Sequence, residues 1–155
     1  AIDPGVIFHL IHDKKMLSRE VEKILNKESG LKGLSGLTSD MRPLEEKRNS
    51  CLNSCRAINV YVYSLLKTIG SYVAALNGVD AIVFTGGAGE KSAYIRKRVC
   101  ESLVFLGVLL DRKKNNQNAL EISASCSKVK VFVIPTNEEL QMVRNASKLL
   151  KNRKL

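Results

Sequence analysis

Gly86, Gly87, Ala88, Gly89 and Glu90, followed by Lys91, come one residue, Thr85, after the apolar run of residues 81–84. Three glycines at this point let the backbone take positive φ and approach a ligand with no Cβ in the way. The N–H groups of such a turn, with a helix N-terminus after it, attract phosphate oxygens. The chemistry expected here is binding of a nucleotide. The spacing is neither a Walker A loop nor a GxGxxG fingerprint. By itself it suits a bare strand-to-helix turn about as well. Asp40 can accept from a ribose hydroxyl or cap the turn that follows it. Arg42 can stack on a purine, hold a phosphate oxygen, or stand as a surface arginine. Glu138 falls in the first turn expected for the last helix, where a carboxylate is favourable with or without a ligand. Magnesium takes one or two carboxylates and keeps several waters, so one glutamate acting through water is also reasonable chemistry. His9 and His12 lack an obvious acidic or cysteine partner in the sequence, and neither receives a catalytic role.

The elements that must position these residues follow from apolar spacing. Residues 81–84 are continuously apolar and rich in β-branched residues, as in a central strand covered on both faces. The glycine run is expected to be a loop, with a helix beginning about six residues after the strand and capped by Ser92. Ile95, Val99, Leu103 and Leu106 form the inward face of that helix, which Gly107 closes. Upstream, Cys55, Ile58, Val62, Leu65, Leu66, Ile69, Val73 and Leu76 recur at helical spacing in a long helix stopped by Asn77-Gly78. A proline at position 4 starts the first helix, Ser18 caps the second, and Gly30 ends it. Residues 31–42 read as a loop, and Val108, Leu109 and Leu110 as a short strand. Residues 112–127 read as irregular, with 115–118 the most mobile part. Residues 129–134 form a second central strand that Pro135 ends. Thr136 and Glu139 then match a capping box for the last helix. The sum is one α/β domain, a central sheet flanked by helices, spanning residues 1–155.

Composition sets outer bounds. The chain has 155 residues, 45% apolar and 26% charged, enough for one domain with its own core. No apolar run reaches the roughly 20 residues that span a bilayer, and no signal peptide is evident, so a cytoplasmic location is expected. The net charge of +10 is spread along the helices with few aromatics among them. That pattern fits a solvated surface better than a specific nucleic-acid or membrane surface. Cys51, Cys55, Cys100 and Cys126 contain no CxxC pair and are expected to be reduced, partly buried thiols.

Several of these segments together resemble the acetate kinase family. They are residues 80–90 (DAIVFTGGAGE), 95–101 (IRKRVCE), 105–107 (FLG), 30–42 (GLKGLSGLTSDMR), 133–140 (VIPTNEEL) and the helix through 69–76. They keep the family's order and cover nearly the whole chain, with Asp3-Pro4-Gly5 matching a point midway along the family's sequence. The resemblance implies an actin-like ATPase (ribonuclease H-like) fold, in which two related domains close over ATP. It also implies reversible transfer of the ATP γ-phosphoryl group to acetate, giving acetyl phosphate, with Mg2+. In that family the turn matching Gly86 to Lys91 lies against ATP or ADP. The segment matching Asp40, Met41 and Arg42 lines the adenosine pocket, and the glutamate matching Glu138 serves the metal. Family members pair as homodimers through this half. The acetate pocket and the residues acting on the transferred phosphoryl group belong to the family's N-terminal half. The expectation is therefore a C-terminal nucleotide-binding part, inactive alone. The alternative is a degenerate, non-enzymatic remnant serving dimerisation or interaction. Three positions depart from the family: Ala88 where isoleucine is usual, Lys91 where asparagine is usual, and Asn59 where aspartate is common.

Overall fold

A computed structural model describes residues 2–152, with the side chains of Glu138, Lys151 and Asn152 outside the described set. The chain divides into two compact units, Ala1–Thr68 and Ile69–Leu155, the division falling within one long helix.

In the first unit, Asp3 caps α1 (Pro4–Phe8) by accepting from the Gly5 N–H at 2.7 Å, and a π-turn, His9–Asp13, follows. α2 is Ser18–Lys23. Its N-cap position is Leu17 rather than Ser18, because the Glu20 carboxylate takes the Leu17 N–H at 2.8 Å and fixes the start one residue earlier. α2 continues into a π-turn, Ile24–Glu28. Residues 31–42 are not a loop: α3 (Gly30–Ser35) and α4 (Met41–Glu46) occupy most of them. Gly30 does not end α2 but opens α3, and Gly36 closes α3, both with positive φ (61° and 69°). The glycines thus serve as helix ends.

α5 (Leu52–Ala75) is the long helix expected. Its inward stripe buries Ala57, Ile58 and Val62, which with Val21, Met41 and Leu44 make up the buried apolar residues of the first unit. Burial fades along the helix, and Leu76 just beyond it is exposed. Asn77 and Gly78 then take positive φ and end the helical path.

In the second unit, β1 (Ala81–Phe84) and β2 (Lys130–Val133) form a parallel pair with Ile82 opposite Val131 and Phe84 opposite Val133. Alternate residues point to opposite faces. Phe84, Val131 and Val133 are buried on one face, whereas Ala81 and Lys130 are exposed on the other and Val83 is 50% exposed. β1 is therefore covered on one face, not both, among the described residues. The connection between the strands carries α6 (Gly86–Lys91), α7 (Ala93–Ser102) and α8 (Arg112–Asn116). The Ser92 hydroxyl caps α7 by accepting from the Ile95 N–H at 3.0 Å, as expected. Ile95, Val99 and Leu103 are buried, and the left-handed Gly107 closes the short 3-10 turn after α7.

The expected strand at 108–110 reduces to a single bridge, Leu110 to Ser123. Asp111 takes the N–H groups of Lys113 and Lys114 on its carboxylate, starting α8 before pairing can continue. Leu120 and Ile122 instead run along the free edge of β2, through Val133 N–H to Leu120 C=O and Ile122 N–H to Val131 C=O, both 2.8 Å. The final helix, α9, is Glu138–Asn152. Its cap is Asn137, accepting from the Leu140 N–H at 2.9 Å, so the expected Thr136–Glu139 capping box does not form.

Candidate functional site

The glycine run lies in α6 and not in a loop: α6 follows an extended Thr85, with Gly86 itself left-handed at φ 69°. The expected six-residue loop is absent because the turn is closed from within. The N–H of Gly86 donates to Glu90 Oε1 at 2.8 Å, one helical turn on. The same oxygen accepts the Thr136 N–H at 2.8 Å and its hydroxyl at 3.0 Å. Glu90 thereby ties the start of α6 to the chain leaving β2, which is why Thr136 is unavailable to cap α9. These bonds, those from Thr136 first and then that from Gly86, hold the Glu90 carboxyl below its ordinary range, with the Lys91 charge adding to the effect.

The remaining positions of the turn divide by what surrounds them. Gly86 has φ 69° and open space where a Cβ would stand. At Gly87 an added Cβ would likewise meet nothing within 4 Å. Gly89 is the packed one: a Cβ there would lie 3.4 Å from the Phe84 carbonyl carbon at the end of β1. Ala88 is half-buried and its carbonyl accepts the Ser92 N–H at 3.0 Å, while Lys91 is exposed. The N–H groups of a helix's first turn have no acceptor within the helix. The open side of this turn therefore offers Gly87 and Ala88 donors, no Cβ at Gly86 or Gly87, and a cation at Lys91. That arrangement suits phosphate oxygens.

A second anchor was missed by sequence reasoning. Arg96, on α7, is completely buried. Its Nη1 donates to the carbonyls of Gly89 (2.9 Å) and Glu90 (2.7 Å). Its Nε donates to Asn115 Oδ1 at 2.8 Å, and its Nη2 to the Asn115 carbonyl (2.8 Å) and Asn118 Oδ1 (2.5 Å). Asn115, expected to be mobile, is 2% exposed and also donates to the Ala93 carbonyl at 2.8 Å. Residues 115–118 are thus held in place, with Asn118 at φ 50° to bring its amide to the arginine. The only sequence signal was a run of asparagines, which tolerate such backbone geometry.

Asp40, Met41 and Arg42 lie in the first unit. Asp40 caps α4 by accepting from the Arg42 N–H at 3.0 Å, Met41 is buried, and Arg42 is exposed. The capping role open to Asp40 is filled by Oδ1 of its carboxylate. Glu138 starts α9, and its side chain lies outside the described residues. Among the described residues no group of three or more His, Cys, Asp or Glu is arranged to hold a metal ion. A magnesium ion held mainly by water and phosphate oxygens needs no such group. His9 has the acidic partner not evident in sequence: its Nδ1 lies 2.7 Å from Asp13 Oδ2 across the π-turn. The cysteines are free, with Cys100 buried and Cys126 exposed. No described helix is long and apolar enough to cross a membrane.

Known proteins resemble this chain throughout. The acetokinase family model matches residues 1–144. An acetate kinase of Pseudothermotoga lettingae is 44% identical over 154 residues, covering 97% of this chain and 38% of its own length. The crystal structure of Porphyromonas gingivalis acetate kinase superposes with a TM-score of 0.84 at 36% identity, covering 97% of this chain and 39% of that one. A propionate kinase from Francisella tularensis gives a TM-score of 0.82 at 34% identity, over 92% of this chain and 37% of that one. The chain spans somewhat under two-fifths of the length of these relatives. The fold is that of the actin-like ATPases, here a small parallel sheet flanked by helices. The chain belongs to the acetokinase family.

Proposed function

We propose that this chain is the nucleotide-binding C-terminal part of an acetate kinase, an enzyme moving the γ-phosphoryl group of ATP reversibly to acetate. The observation that carries the reading is the α6 turn. It is anchored through Glu90 and Arg96 yet open at Gly86 and Gly87, in a chain whose residues 1–144 match the acetokinase family. The turn would receive the phosphates of ATP or ADP, with Lys91 beside them. Phosphoryl transfer depends on positioning and on neutralising charge as it moves, and a rigid turn of N–H groups contributes to both. Asp40, Met41 and Arg42 would line the adenosine side, Met41 through its backbone since its side chain is buried. Glu138 would hold Mg2+ through water, and the metal would neutralise phosphate charge.

Acetate binding and the groups acting on the moving phosphoryl would come from the further length that the relatives possess. We therefore assign no catalytic residue here and expect the chain alone to be inactive. Acetate is favoured over propionate because the curated relatives are acetate kinases, although a propionate kinase shares the fold. The test is reconstitution: acetyl phosphate formation from ATP and acetate by the chain alone and mixed with a polypeptide covering the rest of a relative's length. Activity only in the mixture supports the reading. A mixture that binds ADP but never forms acetyl phosphate contradicts it.

A further inference from the structure

We propose that Arg96 is a positioning residue for the nucleotide turn, acting on the ligand through the shape of α6 and never touching it; this rests on the nucleotide reading above. A guanidinium has five N–H donors. In Arg96 one Nε–H and the pairs on Nη1 and Nη2 match the acceptors of Gly89, Glu90, Asn115 and Asn118. The side chain is 0% exposed. It has neither a donor nor a path to offer a phosphate.

What it holds is the part of the turn that cannot hold itself. A helix of six residues is far below the length at which helices persist unaided. Glu90 fixes the first N–H of α6 with its side chain, and Arg96 fixes the carbonyls of Gly89 and Glu90 in its second half. The turn is thus held from within by Glu90, which is tied to Thr136 after β2, and from without by Arg96 of α7. On the far side of Arg96 the clamp rests on residues 115–118, and Asn118 contributes through an exposed, left-handed residue that packs into no core. The asparagine run thus belongs to the nucleotide site at second hand. Lysine at position 96 could not replace the clamp, having three donors on a flexible stem instead of a planar fork.

The test compares wild type, Arg96→Lys, Asn118→Ala and a surface control, Lys97→Ala, by amide hydrogen exchange of residues 86–91 and by calorimetric titration with ADP and magnesium. Arg96→Lys should speed exchange in the turn and weaken ADP binding by at least about tenfold, as misplacement of a binding element does. Asn118→Ala should move both readouts the same way by less, and the control should move neither. If Arg96→Lys fails to fold, Asn118→Ala decides. Faster exchange with unchanged ADP affinity, or no change in either, overturns the clamp while leaving the nucleotide reading intact. Absence of ADP binding by wild type removes the nucleotide reading, and the inference falls with it.

Discussion

Replacing Gly87 by alanine separates the stability of the turn from its use. Gly87 lies in the first turn of α6, its φ is not among the positive ones, and a Cβ there meets nothing within 4 Å. Alanine is then compatible with the folded backbone and reduces the freedom of the unfolded chain. Such changes stabilise by about 0.4–1 kcal/mol. For a chain of this size that raises Tm by about 1–4 °C. The new methyl occupies the space through which a phosphate would approach the Gly87 and Ala88 N–H groups. A displacement that costs even one good hydrogen bond to a charged group, about 1.5 kcal/mol, weakens binding more than tenfold. Thermal unfolding and ADP calorimetry on the same preparation read both effects. A variant with raised Tm and wild-type ADP affinity refutes the assignment of this turn to the nucleotide. A lowered Tm refutes the claim that the site is open.

Other outcomes follow from the same structure. Gly107→Ala places a Cβ 2.9 Å from the Lys128 Cβ at φ 88°, so it should lose more than the roughly 1–2 kcal/mol of left-handed backbone strain alone, seen as a Tm drop of several degrees. The Glu90 carboxyl is held below its unfolded value of 4.5, so its contribution is complete above that pH and disappears as pH falls through the lower folded value. Tm measured down through the acid range should fall less steeply for Glu90→Gln than for wild type, and equal slopes would contradict the latch. Burial pushes the Cys100 thiol up to about 12, with the Arg96 charge opposing and Glu101 reinforcing. An alkylating reagent at about pH 8, near the ordinary thiol pKa, should therefore label exposed Cys126 readily and Cys100 only after unfolding, as peptide mass mapping can read.

The parts legible in the sequence were those governed by local periodicity. The stripe of α5, the inward residues of α7, the Ser92 cap and the two apolar strands all announced themselves through spacing or a single cap residue. Two of the misreadings come from long-range bonding. Thr136 looks like a helix cap until the Glu90 carboxylate, 46 residues earlier in the chain, takes its N–H and hydroxyl. Residues 115–118 look mobile until Arg96 claims them from 19 and 22 residues away. Gly30 read as the end of α2 and Gly36 as a loop residue, because composition does not say which glycine will open or close a helix. At the candidate site, glycine spacing pointed to the open side of the turn. The groups that hold the turn, Arg96 above all, resembled ordinary helix charges.

The most direct test of the central claim is titration of the chain with ADP in the presence of magnesium, followed calorimetrically. The account predicts saturable binding at one site in the millimolar range or tighter, reduced more than about tenfold by Gly87→Ala and by Arg96→Lys. Absence of any binding heat at millimolar ADP from folded protein would contradict it.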